Sequence, residues 1–323
     1  MIRLIVNADD LGSGAPRDRG IFSAFRHGIV TSASLLANGP GFAPAVREAL
    51  ACGLPTGVHL NLAEGNSLTG AIPGLTDAVG NFPGKAGLRD ILLNGSFDQA
   101  AVHRELLVQI VQVVAAGITP DHLDTHQHCL LFPALTGIIA DVAAVAGIRA
   151  LRLPFPAEAG GGNCREEGCA AGQVDPFSTG DAGTAVDTET GLTRKGVRSP
   201  GAEFPPPVGE LGQELAGELA LYRTLAPTVR TTLHTAGLWT PDGLWGMPLL
   251  NRLTETTLRQ TITAIPDGTW ELMTHPGYND PHDPFGGPER EAELAALTAP
   301  AIRQLLAEHG IELTTFGACT CAC

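Results

Sequence analysis

The sequence is poor in aromatic residues and in positive charge. Phe, Trp and Tyr make up 5% of the 323 residues, and 20 Lys and Arg face 34 Asp and Glu, so the formal net charge is −14. Such an acidic chain repels nucleic-acid phosphates and anionic membrane surfaces. With so few rings, neither a stacking platform for bases nor a broad aromatic sugar cleft is expected. The composition therefore predicts no nucleic-acid partner.

Long apolar runs are also missing from the sequence. No stretch approaches the ~18 consecutive apolar residues of a transmembrane helix, so no membrane span is predicted. Met1-Ile2-Arg3 leads directly into a predicted strand, without the apolar segment and small-residue cleavage site of a secretory signal. We therefore expect a cytoplasmic protein.

The cysteines do not form a recognisable disulfide framework. There are seven of them, an odd number, and Cys319, Cys321 and Cys323 lie in a Cys-rich tail at positions 318–323. The spacing of the tail does not fit the usual zinc-knuckle pattern. Free thiols at mobile sites are the favoured interpretation, and a metal or redox site is the alternative.

Short β-rich runs alternate with helical patterns, which is typical of parallel βα units. The predicted strands are Arg3–Asn7, Thr31–Leu36, Thr56–Asn61, His122–Thr125, Ile148–Pro154, Val229–His234, Thr269–His275 and Ile311–Phe316. A first helix is predicted to begin near Pro16, and further helices span Ala100–Ala115, Pro133–Val145 and Glu289–His309. About eight such units predict an α/β fold, a TIM-like (β/α) barrel with its chemistry at the C-terminal strand ends. We expect a single domain over residues 1–323.

One long segment breaks the alternation. Residues 157–207 contain Gly160-Gly161-Gly162 and end in Pro205-Pro206-Pro207. We interpret them as a loop-rich insertion after the fifth strand. Loops of this length in compact enzymes usually serve as lids or lack fixed structure, so we expect this one to influence which substrate is accepted.

Acidic residues and histidines stand where four of the predicted strands end. Asp9 and Asp10 follow the first strand, His59 lies at the end of the third, His126 follows the fourth, and His275 ends the seventh. In a barrel these strand ends meet at one mouth. One Asp and two His from separate strands would form a three-point cage for a divalent metal with a position left open for water. The second Asp and the remaining His would then carry protons.

Taken singly, these residues also have structural explanations. Adjacent Asp residues at a βα turn can cap the following helix, and a lone histidine in an apolar strand, such as His59, often belongs to the core. The cluster of His122, Asp124, His126 and His128 is different, because alternate residues of a strand share one face. A cluster of this kind favours a metal or catalytic site.

Two further polar residues end predicted strands. Arg152 ends the fifth strand, where a cation can orient a carboxylate and lower its pKa. Asn38, before Gly39-Pro40, ends the second strand. It either donates a hydrogen bond to a substrate or forms a turn.

Five blocks of the sequence, in order, resemble the YdjC family of carbohydrate deacetylases, also called the ChbG/HpnK family. The blocks are Asn7-Ala8-Asp9-Asp10-Leu11-Gly12, residues 28–34 with Asn38-Gly39-Pro40, Gly57-Val58-His59-Leu60-Asn61-Leu62, residues 122–128, and residues 271–278. The resemblance covers most of the chain outside residues 157–207 and the Cys-rich tail. It implies a metal-dependent hydrolase that removes acetyl groups from N-acetylated sugars or oligosaccharides.

The resemblance also implies roles for single residues. By the family pattern, Asp10, His59 and His126 hold the metal. The similar NodB-type polysaccharide deacetylases suggest Asp9 as general base and His275 as general acid. The remaining expected roles are support of Asp9 by Arg152 and substrate binding by Asn38, Asn61 and His128.

The expected cofactor is a divalent ion, Zn²⁺ or Mg²⁺. One carboxylate with two imidazoles suits Zn²⁺ better on ligand softness. The expected partners are an N-acetylated carbohydrate and, from the resemblance, a second copy of the chain in a homodimer.

Three other functions compete with this prediction. A metal-independent glycosidase would need two carboxylates about 5 to 9.5 Å apart, and the convergent histidines argue against it. Another metal-dependent hydrolase, acting on a different amide or on a phosphoester, is the second alternative. No phosphate-cradling loop supports the phosphoester, because Gly12-Ser13-Gly14 lacks the following Lys and Ser or Thr. The third, a non-catalytic sugar-binding barrel, would be expected to lack Asp9 or a metal ligand.

Overall fold

The computed structural model describes residues 1–155 and 210–320. Its strands are β1 (Ile2–Leu11), β2 (Ser32–Leu35), β3 (Thr56–Leu60), β4 (Leu123–Thr125), β5 (Leu244–Trp245), β6 (Gly268–Thr274) and β7 (Ile311–Thr314). Its α-helices are α1 (Ala15–His27), α2 (Phe42–Cys52), α3 (Gly84–Asn94), α4 (Gln99–Ala115), α5 (Pro133–Ala146), α6 (Glu210–Thr235), α7 (Glu255–Ala264), α8 (Pro288–Thr298), α9 (Pro300–Glu308) and α10 (Phe316–Thr320). The predicted insertion at 157–207, Cys321 and Cys323 lie outside the described residues.

The strands form one curled parallel sheet. Its order is β4-β3-β2-β1-β6-β5, and β7 pairs with the first half of β1. Isolated bridges from Leu123 to Leu151 and from Ala150 to Trp239 extend the pairing beyond β4. The α/β class and the parallel sheet are therefore confirmed, and the predicted TIM-like barrel is seen in the described residues as a half-barrel.

Two of the predicted strands differ in the structure. The prediction of a strand at Val229–His234 is wrong, because these residues belong to helix α6. The buried side chains of α6 recur at helical intervals, namely Leu219, Tyr222, Ala226, Val229 and Leu233. This period of three to four residues outweighs the local preference of Val and Thr for strands. At Ile148–Pro154 the structure has only the isolated bridges of Ala150 and Leu151.

The predicted helices are largely confirmed. α1 begins at Ala15, α4 and α5 match their predicted ranges closely, and Glu289–His309 is divided between α8 and α9. Pro300 begins α9, and Ala299 before it has the extended backbone that a following proline favours. None of the helices in the described ranges combines the length and apolar character that a membrane crossing requires.

Strands β2, β3, β4 and β5 are buried along their whole length, as expected for a parallel sheet covered on both faces. A small second cluster beside the main core contains Ile5, Ala150, Phe316 and Cys319. The expected position of Cys319 at a mobile site is wrong, because helix α10 places it in this cluster, where it is buried.

Candidate active site

The end of β1 is irregular, and this places two adjacent carboxylates in one cleft. The pairing of β1 with β2 shifts register between Ala8 and Leu11, and Asp10 has φ 67°. Left-handed backbone is uncommon for residues other than glycine and often marks functional positions. Asp9 and Asp10 consequently both line the same cleft instead of facing opposite sides of the sheet.

A tight turn follows β4 and places two histidines beside these carboxylates. β4 ends at Thr125, and residues 126–131 form a 3₁₀ turn in which Gln127 and His128 have φ 57° and 54°. His126 and His128 therefore line the cleft from the turn. His122 does not join them, because it is fully buried and stacked on Phe316 with ring centroids 3.9 Å apart.

Asp10, His59 and His126 bring three ligand atoms together. Asp10 Oδ1 lies 3.4 Å from His59 Nε2 and 3.1 Å from His126 Nδ1, and the two nitrogens are 3.3 Å apart. Three donors at tetrahedral positions about 2.0–2.1 Å from Zn²⁺ would be about 3.4 Å from one another. Asp10 Oδ1 is buried without a hydrogen-bond partner, as expected for an atom placed to bind a cation. The three side chains therefore fit a divalent ion.

Each of these histidines has a carboxylate near its other ring nitrogen. His59 Nδ1 lies 2.8 Å from Asp124 Oδ1, and His126 Nε2 lies 3.6 Å from Glu64 Oε2. Histidines that bind metals usually donate their second N–H to a carboxylate, carbonyl or water, which fixes the ring and raises its basicity. The free electron pairs of His59 Nε2 and His126 Nδ1 are then directed at Asp10.

The electrostatics of the cluster favour positive charge. Burial opposes ionisation of Asp10, but His126 and His59 outweigh it and hold the pKa of Asp10 well below its usual range. Burial likewise opposes protonation of the histidines. Asp124 and Asp10 beside His59 nevertheless raise its pKa to about 10, and Asp10 and Glu64 raise that of His126 to about 9. The site therefore attracts either protons or a metal cation, and the two compete.

A second cluster of possible ligands, Asp9, His59 and Asp124, differs from the first because an arginine binds both of its carboxylates. Arg152 Nη1 and Nη2 donate to Asp9 Oδ2 and Oδ1, both at 2.6 Å, and Nη1 also lies 2.7 Å from Asp124 Oδ2. Burial would raise the pKa of Asp9, but the guanidinium of Arg152 holds it below its usual value. Because Arg152 already neutralises these carboxylates, this group is a hydrogen-bonded network and a poorer candidate for a metal site.

Glu271 is a third carboxylate on Arg152, and we did not predict a role for it. Arg152 Nε donates to Glu271 Oε1 at 2.7 Å, while Glu271 Oε2 is buried without a partner. Burial raises the pKa of Glu271 to about 7 despite the adjacent Arg152. A charged residue between Trp270 and Leu272 in a buried strand was the signal that could have identified it.

His275 lies at the end of β6, beside Asp9. Its Nε2 is 3.9 Å from Asp9 Oδ2, and its ring meets Phe285 edge-on at 5.2 Å between centroids. Glu293 Oε1 accepts a hydrogen bond from the backbone N–H of His275 and fixes the turn. Burial lowers the pKa of the His275 imidazole to about 3, so the ring is neutral at rest.

These residues share a cleft of about 390 Å³, a size typical of small-molecule sites. The apolar part of the lining consists of Leu36, Leu215, Met247, Leu250, Met273, Pro284 and Phe285. The polar lining includes Arg17 and Lys85. Arg17 Nη1 is buried without a hydrogen bond 3.6 Å from Asp10 Oδ2, and Lys85 pairs with Glu218 at 2.6 Å.

The predicted substrate-binding residues lie in different surroundings. His128 lines the cleft with a buried, unpartnered Nδ1 and an edge-on contact to Tyr222. Asn61 and Asn38 instead bind backbone: both side-chain amides donate to the carbonyl of Glu64, at 2.9 and 3.2 Å. A role for the two asparagines in substrate binding stays a prediction.

Together, the curled parallel sheet and the Asp/His cleft at its strand ends define an α/β half-barrel protein with a candidate divalent-metal centre. The sequence profile of the YdjC-like protein family matches residues 3–308. The chain belongs to the YdjC family.

Known proteins similar to this chain are consistent with that membership. Proteins named carbohydrate deacetylase from Mus musculus and Homo sapiens are each 32% identical to it. The alignments cover 97% of this chain with 93% of the mouse protein and 89% of the human one. A solved structure from Enterococcus faecalis V583, named provisionally as a cellobiose-phosphate cleavage protein, superposes with a TM-score of 0.63 at 21% identity over 98% of both chains. That structural likeness supports the fold.

Proposed function

We propose that this protein is a metal-dependent carbohydrate deacetylase that hydrolyses the acetamido group of an N-acetylated sugar or oligosaccharide. The observation that carries the proposal is the convergence of Asp10 Oδ1, His59 Nε2 and His126 Nδ1 within 3.4 Å of one another in a cleft that also holds Asp9 and His275. The names of the mouse and human relatives support the carbohydrate substrate.

Asp10, His59 and His126 are the proposed metal ligands. When bound, a divalent ion would lower the pKa of water and polarise the acyl oxygen. Two imidazoles with one carboxylate favour Zn²⁺ over Mg²⁺, which prefers a shell of oxygen ligands. Asp124 would orient the His59 imidazole from behind, since its Oδ1 lies 2.8 Å from Nδ1 of that ring.

Asp9 and His275 are the proposed proton carriers. Asp9 takes a proton from the attacking water, and Arg152 fixes its carboxylate through two hydrogen bonds of 2.6 Å. His275 is neutral at rest, so it must gain a proton during turnover, and Asp9 is an adjacent source at 3.9 Å. His275 then protonates the departing sugar amine, since an amide nitrogen leaves poorly as an anion. One proton is thus taken from water at Asp9 and one is delivered to the amine by His275.

The remaining cleft residues would position the sugar. His128 is neutral, because burial lowers its pKa to about 3, and its unpartnered Nδ1 can exchange a hydrogen bond with a sugar hydroxyl. Phe285 belongs to the apolar lining of the cleft and contacts the His275 ring, so it offers an apolar surface for the acetyl methyl group beside that ring.

Acetate release from N-acetylglucosamine oligomers tests the proposal. Protein stripped of metal is assayed with Zn²⁺, Mg²⁺, Co²⁺ or no addition. The proposal expects negligible release without metal and the strongest recovery with Zn²⁺ or Co²⁺. If the metal-stripped protein instead cleaves the oligomers to shorter sugars and releases no acetate, the protein is a glycosidase. Binding of one equivalent of metal without acetate release would support the metal site but contradict the proposed N-acetylated sugar substrate.

A further inference from the structure

Glu64 is a charged residue beside the proposed metal ligands for which the sequence offered no role. Its side chain is 59% exposed at the mouth of the cleft, and Oε2 lies 3.6 Å from His126 Nε2. The ring's other nitrogen, Nδ1, faces Asp10 Oδ1 at 3.1 Å. His126 therefore lies between two carboxylates, one at each ring nitrogen.

The other histidine of the site has the same arrangement. His59 Nε2 faces Asp10, and its Nδ1 lies 2.8 Å from Asp124. The two arrangements differ in distance and burial. Asp124 is fully buried, is bonded to Arg152 and lies within hydrogen-bond distance of its histidine. Glu64 is on an exposed loop, and its 3.6 Å contact is an ion-pair distance that a small side-chain movement would shorten to a hydrogen bond.

The backbone around Glu64 is held by side-chain amides. Asn61 Oδ1 accepts hydrogen bonds from the N–H groups of Ala63 and Glu64 at 2.9 and 3.1 Å, and its Nδ2 donates to the Glu64 carbonyl at 2.9 Å. Asn38 Nδ2 donates to the same carbonyl at 3.2 Å. Gln109 in turn bonds both backbone groups of Asn61, at 2.9 and 2.7 Å. The backbone that carries the exposed carboxylate is thus fixed by half-buried and buried groups.

We propose that Glu64 is a positioning residue that accepts the Nε2–H of His126 and thereby directs Nδ1 of that ring at the metal. The inference rests on the proposed metal centre. It also gives Asn38 and Asn61 a role, which is to hold the loop that carries Glu64. Loss of such an outer carboxylate typically weakens metal binding about 10- to 100-fold.

Zinc affinity of the full chain tests this, measured by competition with a chelator of known strength. Glu64→Ala should weaken zinc binding about 10- to 100-fold. Glu64→Gln should weaken it less, because the amide oxygen still accepts the Nε2–H. The matched control is Glu308→Ala, an acidic residue on α9 that accepts a hydrogen bond from Gln304 and should leave the affinity unchanged.

The outcomes separate this inference from the function on which it rests. If the Glu64 variants bind zinc as tightly as the wild type and change only KM, Glu64 contacts substrate and the positioning role is overturned. Failure of the wild type itself to bind zinc would overturn the metal centre as well. Unchanged unfolding midpoints of the metal-free variants would show that any loss of affinity is local.

Discussion

Asp9 and Asp10 are neighbours in sequence but have different partners. Both oxygens of Asp9 accept hydrogen bonds from Arg152, whereas Asp10 Oδ1 faces two imidazoles and has no hydrogen bond. The left-handed backbone of Asp10 makes this division possible, because it turns one carboxylate toward each group. This division agrees with the roles proposed for the two residues, proton transfer for Asp9 and metal binding for Asp10.

The substitution Asp9→Asn separates these roles. The amide keeps the size of the side chain but cannot take a proton from water, so kcat should fall about 10²- to 10⁴-fold. Metal content should stay at the wild-type level, since Asp9 contributes no ligand in this account. Acetate release and metal analysis on the same sample provide the check. A variant that retains most of its activity would show that Asp9 is not the base.

Part of the site could be predicted from sequence at this scale. Asp10, His59 and His126 are polar residues at the ends of apolar strands, and parallel strand ends converge, so their meeting followed from the pattern. Glu64 could not be found this way, because it lies in a loop and its position depends on hydrogen bonds from Asn38 and Asn61. Charge alone does not distinguish it from other surface carboxylates.

Strand β3 shows how a backbone position supports the site from a distance. A Cβ at Gly57 would lie 2.3–2.5 Å from the ring of His122, which is fully buried and hydrogen-bonded to Asp121 at 2.7 Å. His122 also reaches Ser34 at 3.2 Å, and Ser34 donates to Asp124 at 2.8 Å. The missing side chain at Gly57 leaves the room that this buried chain of hydrogen bonds requires.

Gly57→Ala should therefore destabilise the protein, by about 1–3 kcal/mol, as overpacking of a core typically does. The matched control is Gly137→Ala in helix α5, where no atom lies within 4 Å of the added Cβ. That change should stabilise by about 0.5–1 kcal/mol, since alanine favours helix. Unfolding in denaturant measures both. Equal effects of the two substitutions would contradict the close packing of His122.

Helix α6 shows where prediction of elements from sequence failed. The strand predicted at Val229–His234 relied on the β-branched residues of a short run. Only the longer range from Leu219 to Leu233 shows buried residues at helical intervals, and Pro227 within it obscured that pattern. The strands β1, β3, β4 and β6 were predicted well, because their apolar runs are bounded by the polar residues of the candidate site.

At the scale of the whole molecule, the curled sheet is what assembles the site. β1 and β6 are separated by 256 residues of sequence (12–267) but are neighbours in the parallel sheet, and β3 lies two strands from β1. Their C-terminal ends bring Asp10, His59 and His275 to one cleft, and the turn after β4 adds His126. The parallel sheet could be anticipated from the βα alternation, whereas its half-barrel extent could not.

The central claim is that Asp10, His59 and His126 hold one divalent ion. The most direct test is an anomalous difference map, recorded at the zinc absorption edge from a crystal of the protein soaked in Zn²⁺. The account predicts a single strong peak about 2.0–2.2 Å from Asp10 Oδ1, His59 Nε2 and His126 Nδ1. A peak on Asp9 and Asp124, or no peak in the cleft at saturating zinc, would contradict it.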